Sequence, residues 1–96
     1  MTNRITQKRL ETLVANLNRE TGNPTTPYTR DDSGNLRANV GAYVTDYAYG
    51  GVKLAQMMNE AGGQRDVLHS GYVTKRELYD LIHAYMAGIW DLKHRK

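Results

Sequence analysis

The sequence predicts a single small α+β domain spanning residues 1–96, two helices packed on a short antiparallel sheet in the order α-β-β-(β)-α. Three observations carry this reading. The N-terminal segment holds an apolar stripe at helical spacing, a Tyr-rich alternating stretch runs into Gly50-Gly51, and a capping sequence at Thr74 opens a second helical stripe.

In the first segment Leu10, Leu13, Val14 and Leu17 recur at i, i+3, i+4 and i+7, which gathers them on one face of a helix over about 3–21. Thr2, Asn3 or Thr6 supplies the N-cap oxygen. Gly22 and then Asn23-Pro24 end the helix, because Gly accepts the left-handed position after it and Pro cannot continue it. The stripe is narrow, so the helix is expected to lean on a sheet.

The sheet is predicted over about 26–68. Pro24 and Pro27 favour extended backbone, Tyr28-Thr29-Arg30 reads as a short strand, and residues 31–35 as a turn built on Asp, Ser and Gly. Residues 36–49 form the longest strand-like stretch, with Tyr43, Thr45, Tyr47 and Tyr49 alternating with Ala42, Val44, Asp46 and Ala48. Gly50-Gly51 reads as a two-residue hairpin turn and 52–58 as the returning strand. The alternation in 54–58 is imperfect and also fits a helix; the clear turn before it favours the strand. Residues 59–63 make a second Gly-rich turn, and 64–68 add a further short strand.

Thr74-Lys75-Arg76-Glu77 has the capping-box form, and Leu78, Leu81, Ile82, Tyr85, Ile89 and Leu92 follow as a helical stripe over about 74–93. Gly88 inside that helix costs about 1 kcal/mol relative to Ala, so it marks an expected close backbone contact.

Composition bounds the function. Forty per cent of the residues are hydrophobic and 24% charged, with no Phe and seven Tyr and one Trp as the aromatics. Each of those rings carries a polar tip, which suits the rim of a core or an interface. No apolar run approaches the roughly 20 residues that span a bilayer, and no hydrophobic stretch follows the basic N-terminus, so a cytoplasmic location is expected. The absence of cysteine excludes disulfides, thiolate nucleophiles and thiolate zinc sites. A formal charge of +3, much of it in the tail Lys93-His94-Arg95-Lys96, permits a nucleic-acid partner without arguing for one.

Tyr47-Ala48-Tyr49-Gly50-Gly51, Leu54, Asn59-Glu60 with Gly62-Gly63, Asp66-Val67, Lys75-Arg76-Glu77-Leu78-Tyr79 and Ile82-His83-Ala84-Tyr85 with Gly88-Ile89 form an ordered set of short motifs. The set resembles a family of small bacteriophage proteins of unknown function, over somewhat under half the chain. The resemblance implies a phage or prophage product acting in the bacterial cytoplasm, where inhibitors and accessory proteins are common. It brings no catalytic residues and no established activity.

Two surfaces stand out among the residues themselves. Tyr79, His83, Met86 and Trp90 form a second stripe on the C-terminal helix, about 100° from the first, with residue types enriched in binding hot spots. This stripe serves a protein partner or a homodimer, or it is the half-exposed edge of a wide core-facing helix. Tyr47, Tyr49, Gly50 and Gly51 at the hairpin, with Arg65, could border a site for a nucleotide or a base, although a hairpin of this composition needs no ligand. Lys75 and Arg76 open the last helix, where they would receive an anion or lie as solvated surface. The element order is similar to that of double-stranded RNA-binding domains, without their dense lysine cluster.

No phosphate-binding glycine motif occurs. Asp66 and His69 form a lone D-x-x-H, too few ligands for a catalytic metal, and Ser33 and Ser70 have no acid and base arranged round them in sequence. An enzyme is therefore not expected, and no metal or cofactor is assigned. The leading expectation is a non-enzymatic protein that binds a host or phage macromolecule, with inhibition of a host defence system as one form. A nucleic-acid-binding module is the alternative, and a small-ligand or nucleotide binder the second alternative.

Overall fold

A computed structural model describes residues 4–94 and has the expected α+β architecture. Helix α1 spans Gln7–Thr21, and Thr6 is its N-cap, with Oγ1 accepting from the Arg9 amide at 3.1 Å. Thr2 and Asn3 lie outside the described residues, while Arg4, Ile5 and Thr6, expected inside the helix, precede it, because the Thr6 cap sets its start. At the other end Gly22, with φ 73°, donates to Arg19, and the Asn23 amide donates to Asn18 at 2.8 Å. This pair of bonds is the Schellman arrangement that glycine permits.

Strands β1 (Tyr28–Arg30) and β2 (Leu36–Ala38) form a hairpin of their own. Asp31 Oδ1 accepts from the Ser33 and Asn35 amides, both at 2.9 Å, and closes the turn. Arg37 bridges Asp31 and Glu60 at 2.9 Å each, tying the hairpin to the turn after residue 58. That guanidinium and the turn amides hold the Asp31 carboxyl below the usual range.

The continuous strand expected over 36–49 is broken. β2 ends at Ala38 and β3 runs from Tyr43 to Ala48, in a different sheet. Gly41 makes the break: its φ is 93°, and a Cβ there would lie 2.8 Å from Asn23 Oδ1. Only glycine adopts that backbone cheaply and allows the approach.

β3, β4 (Gly51–Met57) and β5 (Gln64–Asp66) form a three-stranded antiparallel sheet in that order. Residues 54–57 are thus strand, and Met58 follows β4. The imperfect alternation has a physical cause, since β4 is central and covered on both faces. Val52 and Leu54 join the core under the helices, while Met57 packs with Ala38 and Ala42 on the other face. The hairpin turn is shifted one residue from its expected place. Ala48 pairs with Gly51, so Tyr49 and Gly50 are the loop, with φ 52° and 73°. Gly51 is a strand residue, and a Cβ on it would meet the Val73 carbonyl at 3.0 Å, where residue 73 bridges to Val52.

Helix α2 spans Lys75–Lys93. Thr74 Oγ1 accepts from the Glu77 amide at 3.1 Å, as its capping sequence predicts, and its hydroxyl also donates to the Glu77 carboxylate at 3.1 Å. Leu78 and Ile82 are fully buried with Leu10, Leu17 and Leu54, while Tyr85 and Ile89 are half-buried. Leu81 and Leu92, expected in the stripe, fall on its outer rim and are 39% and 67% exposed.

Gly88 likewise departs from expectation. Its Cβ position is open, with no atom within 4 Å, so it marks no close backbone contact. Gly88→Ala should raise stability by about 0.5–1 kcal/mol, the helix-propensity difference, as read by urea melts. An unchanged or lower midpoint would show that the position is crowded.

The Tyr43 and Tyr85 hydroxyls meet at 3.0 Å beneath the helices, with rings edge-on at 6.1 Å. Burial, and then the Tyr85 hydroxyl, push the Tyr43 phenol up to about 12 from 10.0. A raised phenol means the neutral form is favoured in the fold. Its stabilisation is complete below the unfolded value and is lost as pH rises through the folded one. Thermal midpoints should therefore be insensitive to this group up to about pH 10 and fall between about pH 10 and 12. A pH-titrated melt followed by circular dichroism checks this, and a flat curve through that window would refute it.

Candidate functional site

The two helices run in the same direction across one face of the sheet. Near their starts Arg9 donates to the Tyr79 hydroxyl at 3.3 Å, and near their ends Lys93 Nζ donates to the Glu20 carbonyl. Both N-termini, with the positive ends of both helix dipoles, therefore lie at one end of the molecule. The β3–β4 hairpin reaches the same end.

A cleft of about 820 Å³ opens there, lined by Arg4, Tyr47, Gly50, Gly51, Lys75 and Arg76 among others. Each residue arrives by a local cause. Arg4 lies on the segment leading to the Thr6 cap, anchored by buried Ile5. Lys75 and Arg76 follow the Thr74 cap. Tyr47 lies on the helix-facing side of β3, two residues before the turn, and burial pushes its phenol up. Arg4, Lys75 and Arg76 are exposed, so three cations and one aromatic face surround a hollow floored partly by glycine backbone. Such a set can take an anion with a planar group beside it.

The structure thus brings together residues that the sequence offered as two unrelated groups, the hairpin set and the helix start. It leaves two of those candidates outside the cleft. Tyr49 is 94% exposed at the turn, its ring edge-on to Tyr72 at 5.4 Å. Arg65 lies on β5, with Nε and Nη2 bound to Gln56 Oε1 at 3.0 and 2.7 Å. Gln56 is four residues along β4 from Val52, about 13 Å from the cleft. The pocket expected between Tyr47, Tyr49 and Arg65 is therefore not formed.

The second stripe is divided. Tyr79 leans on α1, with the Arg9 guanidinium 5.2 Å from its ring centre, and Met86 packs against the core. His83 is exposed beside Tyr79, and Trp90 is 59% exposed and stacked on His94 at 4.0 Å. Tyr79 is partly covered by α1 because the two helices share that flank. A hollow of about 330 Å³ with Lys8, Arg9, Tyr79 and His83 on its walls continues the basic end along the helix junction.

Asp66 and His69 form part of a loop. The Asp66 carboxylate accepts from the His69 amide at 3.0 Å and the Gly71 amide at 3.2 Å, which shapes the turn into Tyr72. Among the described residues no three His, Cys, Asp or Glu side chains gather as metal ligands, and no helix is long and apolar enough to cross a membrane.

Sequence reasoning missed Arg4, which it read as part of the helix, and Tyr72. The Tyr72 hydroxyl donates to Asp46 at 2.7 Å, and Lys53 Nζ stands 4.8 Å over its ring. No local signal joins these residues, which are 26 and 19 positions apart in sequence. The chain matches no protein-family profile, no curated protein and no solved structure.

Proposed function

We propose that this protein is a non-enzymatic binding module that holds a nucleic acid at the end of the fold where both helices begin. The observation that supports it is the convergence of Arg4, Lys75 and Arg76 with Tyr47 round one cleft, with Lys8 and Arg9 continuing the positive charge along the helix junction. Cations at this density suit a backbone that carries regularly spaced phosphates. An aromatic wall suits a base or sugar face. The parallel helices over a three-stranded sheet are similar in order to double-stranded RNA-binding domains, an analogy of topology alone.

Binding of this type releases counterions, and its affinity falls steeply with salt. The test is fluorescence anisotropy of labelled DNA and RNA, single-stranded and duplex, across a salt series. A log–log slope of about −2 to −4 would match three to five phosphate contacts. No salt-dependent binding to any probe would end this reading.

A second reading, a protein partner or a homodimer, is favoured by the exposure of Trp90 and Leu92 at the far end of α2. In the bacterial cytoplasm that the phage resemblance implies, that partner would be a host or phage protein, a defence component among them. Light scattering on Trp90→Ala tests the homodimer form: a dimer that this substitution splits supports it, and a monomeric wild type removes it.

A further inference from the structure

Tyr49 occupies a position that the fold would fill better with another residue. Both loop positions of a two-residue hairpin of this kind need positive φ, which Asn or Gly adopts readily and a bulky side chain does not. Tyr49 takes φ 52° all the same and leaves its ring 94% exposed. The ring therefore adds little burial while the backbone carries strain. His69, with φ 54°, is also strained, but its amide is bound by the Asp66 carboxylate in a loop built round that bond. A strained, exposed side chain of this kind points to a role outside the fold.

The ring is also braced. It sits edge-on to Tyr72, and Tyr72 is held from two sides by Asp46 and Lys53. The next two residues, Gly50 and Gly51, line the basic cleft. A flat apolar face is thus presented to solvent outside the cleft, at the tip of the hairpin and on the side of the sheet that carries Asp46 and Lys53. A strand held in the cleft reaches it by passing over the hairpin tip.

We propose that Tyr49 is the base-contacting residue of this protein: its ring stacks on an unpaired nucleobase of a strand whose phosphates lie in the cleft of Arg4, Lys75 and Arg76. The inference rests on the nucleic-acid reading above and deepens it, from backbone binding to recognition of single-stranded or looped segments. Bases locked in a duplex do not offer a free face to a stacking ring.

The test compares wild type, Tyr49→Asn and Tyr49→Phe by fluorescence anisotropy on three probes of equal length. These are single-stranded oligodeoxyadenylate, an abasic strand with the same phosphates, and a duplex. Tyr49→Asn should weaken oligodeoxyadenylate binding about 5- to 100-fold, the scale of one base stacked on an aromatic ring. It should leave abasic-strand and duplex binding unchanged and melt no lower than wild type, since Asn suits the turn. Tyr49→Phe, which keeps the ring, should bind all three as wild type does.

If Tyr49→Asn binds oligodeoxyadenylate as tightly as wild type, Tyr49 is a turn residue only, and the cleft reading stands without it. An equal loss on all three probes also overturns the stacking role, because the ring then acts on the fold or on the phosphates. Failure of wild type to bind any probe overturns both proposals together.

Discussion

Replacing Asn18 with Leu is expected to destabilise the protein by about 2–4 kcal/mol, although it puts an apolar residue into an apolar core. Asn18 is 1% exposed. Its Nδ2 donates to the Tyr43 carbonyl at 3.0 Å, and its Oδ1 accepts from the Tyr43 amide at 2.7 Å. The neighbouring bonds of β3 explain why. Ala42 accepts from the Met57 amide on the β4 side, so the polar groups of Tyr43 point the other way, off the edge of the sheet. There the Asn18 amide acts as a one-residue substitute for a further strand. Leu would leave a buried N–H and a buried C=O unpaired, at about 1–3 kcal/mol each, against a smaller gain from its methyl groups. For a domain of this size the melting midpoint should fall by about 10–20 °C. A loss below about 1 kcal/mol in urea melts would mean that water reaches Tyr43 and satisfies both groups.

The double variant Arg4→Glu, Lys75→Glu is expected to lose about 100-fold or more in affinity for a single-stranded probe at moderate salt. Each charge-assisted phosphate contact contributes about 1.5–3 kcal/mol, and every 1.4 kcal/mol is tenfold. The salt slope should fall by about two contacts as well. Lys75→Glu alone separates binding from folding. A carboxylate in the first turn of α2 interacts favourably with the helix dipole, by about 0.3–1 kcal/mol, so this substitution should stabilise the fold slightly while it weakens binding. Arg65→Glu makes the same change in net charge at a site about 13 Å from the cleft and should lower affinity far less. Equal losses for Lys75→Glu and Arg65→Glu would show that overall charge, not the cleft, drives the interaction.

Both results depend on relations that the linear sequence carries unevenly. Asn18 is not marked out by the sequence reading of α1, because what makes it matter is a partner 25 residues away. Arg4 and Lys75 are 71 positions apart, and each had a local context that concealed the other. Arg4 falls within the expected first helix, and Lys75 at a helix start that fits either an anion or solvated surface. The division of the Tyr79–Trp90 stripe likewise depends on α1 lying parallel to α2, which no spacing within α2 expresses.

What the sequence determined by itself is what neighbours within about four residues decide. The stop of α1 at Gly22, the capping of α2 by Thr74 and Glu77, and the Asp31 turn all rest on hydrogen bonds between nearby groups, whereas for the start of α1 the sequence offered Thr2, Asn3 or Thr6 and the structure selects Thr6. The buried faces of the helices follow from a period of 3.6 residues in the same way. The tertiary structure alone decided the break at Gly41, the one-residue shift of the hairpin and the gathering of the basic end. Gly41 is required by its φ of 93°, which the packing of the two sheets imposes, and Gly51 by the backbone at Val73. Such constraints exist only after distant segments have packed. Local hydrogen bonds set where elements begin and end, while close packing between elements sets which side chains face one another.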